Sequence, residues 1–144
     1  MFYGRETNRI DAKGRLAIPA KFREVVGQGA RLVVTGKVFD PCLAVYTEDR
    51  WRILTEQLQS VSQVKPEVQR YRRRLFSAAE FCNVDRQGRI LIPSHLREHA
   101  GLGQEAVVVG TGETFEIWEP RRWRDETSRD VDSDMAETLA GLGL

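Results

Sequence analysis

The spacing of apolar residues along this chain alternates between two habits, and each switch marks a predicted element. Short runs rich in Val, Ile and Leu, bounded by Gly, Pro or Asp, predict strands. One ends at Ile10, one runs from Arg15 to Pro19, and two lie over 31–35 and 43–46. A second set ends at Val84, runs from Arg89 to Pro93, and lies over 106–109 and 115–118. Helical spacing fills two intervals. Trp51, Leu54 and Leu58 make an apolar stripe on a helix over 48–58, with Glu48 and Asp49 in its first turn, where the helix dipole favours acids. Val68, Tyr71 and Leu75 make another on a helix that Pro66 opens. Pro19 and Pro93 each stop a strand and suit the first turn of a short helix, with Phe22 or Leu96 turned inward and Gly27 or Gly101 ending it. The pattern predicts a mainly β chain with short helices, an α+β fold.

The two sets are copies of one unit. Residues 11–27 align with 85–101 at an offset of 74, and eight of seventeen positions are identical, against about one expected for unrelated sequence of average composition. The match extends outward: Phe2 and Glu6 fall on Phe76 and Glu80, Val33-Val34 on Val107-Val108, and Trp51-Arg52 on Trp123-Arg124. The repeated placement of Trp51 and Trp123 predicts that both indoles are buried. The expected organisation is a first unit over 1–58, a linker helix over 59–75, a second unit over 76–124, and an acidic, flexible tail over 125–144.

In each copy a turn, Asp-x-x-Gly, joins the first two strands into a β-hairpin. Asp11 and Asp85 can bond to backbone amides within that turn, and Gly14 and Gly88 supply the positive φ it demands.

Composition narrows the class. At 144 residues with 41% hydrophobic and 30% charged residues the chain is a globular protein, and no apolar run approaches the length of a membrane helix. The N-terminal residues lack a signal-peptide pattern, which predicts a cytoplasmic protein. Cys42 and Cys82 have neither metal-binding nor disulfide-framework spacing and read as packed or idle thiols. Net charge is +1, too little to coat a polyanion by bulk attraction, but it is unevenly spread. Residues 1–40 carry eight Lys/Arg against four Asp/Glu, and residues 125–144 carry one Arg against six acids.

The hairpin turns hold the first candidate chemistry. Lys13 and Arg15 flank Gly14, and Arg86 and Arg89 bracket Gln87-Gly88, so each tip offers two cations on a stiff support. An Arg fork bonds bidentately to phosphate or to a guanine edge, whereas Lys acts as a point charge. A second reading makes these solvated turn cations, with Arg15 or Arg89 simply pairing with Asp11 or Asp85. Arg72, Arg73 and Arg74, with Arg70, give the linker helix a basic face that could touch phosphate secondarily or serve as an intersubunit salt-bridge donor. His95 and His99 stand at i, i+4, but a third ligand is missing and no metal is expected. No nucleophile motif or phosphate-binding loop occurs, so neither catalysis, a small-molecule substrate nor a cofactor is expected.

Asp-x-x-Gly-Arg-h-x-Ile-Pro (h, an apolar residue) twice, each followed by Phe/Leu-Arg-Glu, with Tyr71-Arg-Arg between and Glu116-Ile-Trp118 near the end, closely resembles the MraZ family of bacterial transcriptional regulators. The resemblance covers about residues 1–124. It implies two tandem SpoVT/AbrB-like units forming a swapped-hairpin, double-ψ-like β-barrel, a ring-like homo-oligomer, and nucleoid-associated binding to double-stranded DNA. The implied DNA is a set of short repeats upstream of the operon for division and cell-wall synthesis, and the implied role is repression. The family's Asp-x-x-x-Arg element falls on Asp11 to Arg15 and on Asp85 to Arg89. Gln87 stands where the first copy has Lys13, so the second tip is less basic. Neutralising about two to four phosphates gives weak, salt-sensitive binding by one chain, so affinity is expected to need several tips on one DNA. A rival expectation is an antitoxin-like protein-interaction module that uses the acidic tail.

Overall fold

A computed structural model describes residues 1–61 and 64–144; residues 62 and 63 of the expected linker lie outside the described residues. The chain order is β1 (Arg5–Arg9), β2 (Arg15–Ala17), α1 (Ala20–Val26), β3 (Arg31–Gly36), β4 (Leu43–Thr47), α2 (Glu48–Ser60), α3 (Pro66–Ala78), β5 (Glu80–Asn83), β6 (Arg89–Leu91), α4 (Ser94–Ala100), β7 (Glu105–Gly110), β8 (Phe115–Trp118), α5 (Pro120–Thr127) and α6 (Ser133–Gly141). Each expected strand is present to within a residue or two. The chain is α+β, but helix is more prominent than expected: α2 and α3, thirteen residues each, exceed every strand.

Pro19 and Pro93 sit at the N-caps of α1 and α4, just outside the first turn, with φ of −51° and −57°, so their missing N–H costs no intrahelical bond. Thr47 caps α2 by accepting from the Arg50 amide, and Glu119 caps α5 by accepting from the amides of Arg121 and Arg122. The acidic tail carries one further short helix. Asp132 accepts from the Met135 amide and opens α6, an element absent from the sequence reading.

Pairing between the copies organises the molecule. Six strands form one antiparallel sheet in the order β1-β7-β8-β4-β3-β5, and β2 pairs with β6 in a sheet of two. The first strand of the first copy therefore lies on β7 of the second, with Glu6 opposite Val108, while β5 of the second copy lies on β3 of the first, with Leu32 opposite Cys82. The hairpins are thus exchanged, as the family resemblance implies. The strands do not close into the implied barrel. β1 and β5 remain the edges of the larger sheet, because the three-residue strands β2 and β6 are satisfied by each other and a single bridge, Ile10 to Leu16, joins the hairpin arms of the first copy.

Both copies feed one core. Leu16 and Ile90, Ile18 and Ile92, Phe22 and Leu96, and Val34 and Val108 are equivalent pairs, all essentially inaccessible and all in one cluster. Phe2, Phe22 and Phe115 close it with ring centroids 5.0 to 5.2 Å apart. A smaller cluster of Cys42, Val107, Val109 and Trp118 is covered by Trp123 of α5. Helix α3 is fastened to β3 by the buried Thr35, whose hydroxyl donates to the Leu75 carbonyl at 2.8 Å. The expected burial of the repeated tryptophans is only half met: Trp51 and Trp123 are both half-buried. Trp51 packs edge-on against Tyr46 and Phe76, and Trp123 tilts against Trp118, and each indole stays partly exposed.

Candidate nucleic-acid interface

Each hairpin turn is built on its aspartate. Asp11 Oδ1 accepts from the amides of Lys13 and Arg15, both at 2.9 Å, and the Gly14 amide donates to the Asp11 carbonyl at 3.0 Å. The second turn repeats this: Asp85 Oδ1 accepts from the amides of Gln87 at 2.8 Å and Arg89 at 2.9 Å, and the Gly88 amide donates to the Asp85 carbonyl. Gly14 and Gly88 have φ of 92° and 76°, where a side chain would be strained. The Arg15 amide bond is the main cause that holds the Asp11 carboxyl below the ordinary aspartate range, and the Arg89 amide bond does the same for Asp85. Asp11 and Asp85 thus supply the side-chain acceptors of the two turns, and Gly14 and Gly88 their positive-φ positions.

The cations divide into two kinds. Arg15 and Arg89 point back along their hairpins. Arg15 Nη1 lies 3.8 Å from Asp11 Oδ2, and Arg89 lies 3.2 Å from Asp85 Oδ2 through Nε and 3.6 Å from Asp11 Oδ2 through Nη1. Arg89 thereby ties the two turns to each other, an arrangement the first copy does not reciprocate among the described residues. Pairs as open to solvent as these contribute little to stability, although both arginines are themselves half-buried. Lys13 and Arg86 are different: both are exposed, and neither has an ion-pair partner among the described residues. They occupy non-equivalent places in the two turns, since Lys13 aligns with Gln87 and Arg86 with Ala12.

Two clefts flank the tips and are related by the repeat. A cleft of about 770 Å³ is lined by Arg9, Asp11, Arg15, Arg89 and Arg97 among others, and one of about 480 Å³ by Arg23, Glu24, Gly29, Asp85 and Arg86 among others. Arg9, Arg23 and Arg97 were not among the sequence candidates. The signal for two of them was present, since Arg23 and Arg97 are one of the eight identities between copies, but their reach to the turns depends on the exchange of hairpins.

The other candidates lie elsewhere. Arg72, Arg73 and Arg74 ride on α3 and line neither cleft. Arg72 sits over the Phe76 ring at 5.4 Å, while Arg73 and Arg74 are exposed. His95 Nε2 is 3.1 Å from the Ala78 carbonyl oxygen, and the His99 ring lies against Gly36. Among the described residues no group of three His, Cys, Asp or Glu side chains is placed to hold a metal. Both cysteines are buried without a disulfide, and burial pushes the Cys82 thiol up to about 11. No helix among the described residues is long and apolar enough to cross a membrane.

Comparison with known proteins gives one consistent result. The sequence profile described as "MraZ protein, putative antitoxin-like" matches twice, over residues 1–74 and 75–141. The Transcriptional regulator MraZ of Desulfitobacterium hafniense (strain Y51) is 42% identical over 146 residues, covering the whole of both chains. That of Ligilactobacillus salivarius is 44% identical over 147 residues, again over both full lengths. That of Thermomicrobium roseum is 48% identical over 124 residues, covering 85% of this chain and 84% of the relative.

Proposed function

The chain belongs to the MraZ family, and from that premise we propose that it is a transcriptional regulator, not an enzyme, that binds double-stranded DNA through its two hairpin turns. The observation that carries the reading is the repeated turn itself. An aspartate-capped, glycine-dependent loop is held rigid in both copies and presents an exposed cation without an ion-pair partner among the described residues, Lys13 in one and Arg86 in the other, beside an arginine-lined cleft. Rigid backbone positions those charges before binding, so little ordering entropy is lost on contact. Arg15 and Arg89 lie beside them, half-buried, with guanidinium groups of the kind suited to phosphate or guanine. The α3 arginines are assigned a secondary role, on phosphates flanking the main contact.

One chain neutralising about two to four phosphates binds weakly at physiological salt. The reading therefore includes a homo-oligomer, ring-like in form, that engages repeated boxes upstream of its target operon and represses it, with affinity gained through effective concentration. The test is fluorescence anisotropy with the protein's own upstream DNA and a scrambled duplex at several salt concentrations. Tighter binding to the native sequence, weakened by Lys13→Ala and Arg86→Ala with a shallower salt dependence, is the expected result. Equal binding to both duplexes would remove sequence specificity, and no binding to either would remove the DNA reading. That last outcome would favour the protein-interaction alternative, for which the acidic α6, with Met135 half-exposed and Leu142 beyond it exposed, is the available surface.

A further inference from the structure

Each hairpin turn is completed by a side chain from the other repeat. The β2–β6 ladder runs past its named ends: the Ile92 amide donates to the Gly14 carbonyl at 2.9 Å, and the Ile18 amide donates to the Gly88 carbonyl at 2.8 Å. The carbonyls of those same two isoleucines are then taken up by arginines. Arg97 Nε donates to the Ile92 carbonyl at 3.0 Å, and Arg23 Nε donates to the Ile18 carbonyl at 3.1 Å.

These bonds lay each guanidinium against the opposite tip. A Cβ added to Gly14 would lie 2.9 Å from Arg97 Cζ and Nε, and one added to Gly88 would lie 2.6 Å from Arg23 Nη1. Both glycines are buried although the rest of each turn is exposed. Something covers them, and it is the arginine of the other copy. Arg97 is half-buried in this position, and Arg23 is more exposed, so the first turn is the better covered of the two.

We infer that Arg97 and Arg23 are positioning residues that act as latches across the repeats, Arg97 setting the turn that carries Lys13 and Arg23 setting the turn that carries Arg86. The inference rests on the DNA-binding reading for its consequence but not for its geometry. It makes the repeats interdependent: neither tip is in its binding form unless the other repeat is folded against it, and damage to one latch disables the tip of the opposite unit. A freely sited cleft arginine would act on DNA only through its own charge. A latch acts through a neighbour, and the two roles are separable.

The test uses the full chain with Arg97→Ala and Arg97→Lys, followed first by amide hydrogen exchange without DNA. Loss of the latch is expected to speed exchange at Lys13, Gly14 and Arg15 by on the order of tenfold, the scale of one net hydrogen bond, while Gln87, Gly88 and Arg89 change little. Lysine keeps the charge but has no plane to lie over Gly14, so Arg97→Lys is expected to leave the turn almost as unprotected as alanine does. Unchanged exchange at residues 13–15, equal loosening at both tips, or full protection with lysine would each overturn the latch.

The second arm is DNA binding in a double-mutant cycle. Arg97→Ala is expected to be sub-additive with Lys13→Ala, which shares its tip, and additive with Arg86→Ala, which does not. The reverse pattern overturns the inference. Wild-type protein that binds no DNA removes the functional reading and leaves the exchange result to decide the latch by itself. Should Arg97→Ala fail to fold, Arg97→Lys carries both arms.

Discussion

Gly14→Ala is the substitution for which the structure gives the most specific expectation. Two costs combine. At φ of 92° an alanine is strained by about 1–2 kcal/mol. Its Cβ would also stand 2.9 Å from the Arg97 guanidinium and 3.1 Å from the Ile92 carbonyl oxygen, so the guanidinium must shift, which weakens or breaks its bond to that carbonyl. A bond to a charged donor is worth roughly 1.5–3 kcal/mol, and about 1–2 kcal/mol at a half-exposed site. Against these stands a gain of roughly 0.4–1 kcal/mol from the stiffer unfolded chain. The net expectation is a loss of about 1.5–3 kcal/mol.

Gly29 provides the internal control. It has a φ of 71° within a turn and nothing within 4 Å of an added Cβ, so Gly29→Ala keeps only the strain and the unfolded-state gain, a loss of about 0.5–1 kcal/mol. Urea unfolding and thermal melts at matched protein concentration measure both. At roughly 2–4 °C per kcal/mol for a chain of this size, Gly14→Ala is expected to melt clearly below Gly29→Ala. Equal losses in the two variants would refute the claim that the Arg97 contact, rather than backbone strain alone, makes Gly14 necessary.

Two further expectations follow from the same structure. Because Trp51 and Trp123 are half-buried, alanine at either site is expected to cost about 1.5–3 kcal/mol rather than the roughly 3–5 kcal/mol of a fully enclosed indole, and a urea-unfolding loss at the higher figure would show that something else covers them. The carboxyls of Asp11 and Asp85 are held below the ordinary aspartate range, so their contribution to stability is complete above that range and is lost as pH falls through the lowered values. The gap in melting temperature between wild type and Asp11→Asn or Asp85→Asn is therefore expected to close on acidification, and a gap independent of pH would contradict the assignment.

Much of this was legible in the residues. The offset of 74 located both hairpins, and the turn residues Asp11, Gly14, Asp85 and Gly88 perform the roles their types suggest. These are contacts over four residues or fewer, where the side chain and the amides it meets are fixed by chain connectivity. Arg23 and Arg97 were legible as a repeated pair but not as parts of the turns, because a long side chain does not announce which segment it reaches. Helix α6 is not legible in the acidic composition of residues 125–144, although Asp132 stands where it caps the helix. The half-burial of Trp51 and Trp123 is not legible either, because repetition shows that a residue is placed alike in both copies, not how far it is covered.

By itself, then, the sequence determined the local units: where strands begin and stop, which turns are rigid, and that one unit occurs twice. Only the tertiary structure decided which copy each strand joins. Since β3 and β7 are near-equivalent in sequence, β1 meets similar partners in either repeat, and local pairing energies cannot choose between them. The choice falls to the shared core, in which the crossed hairpins enclose Leu16, Ile18, Ile90 and Ile92 together. That crossing carries Arg97 to Gly14 and Arg23 to Gly88, and it turns two copies of a motif into one interdependent site.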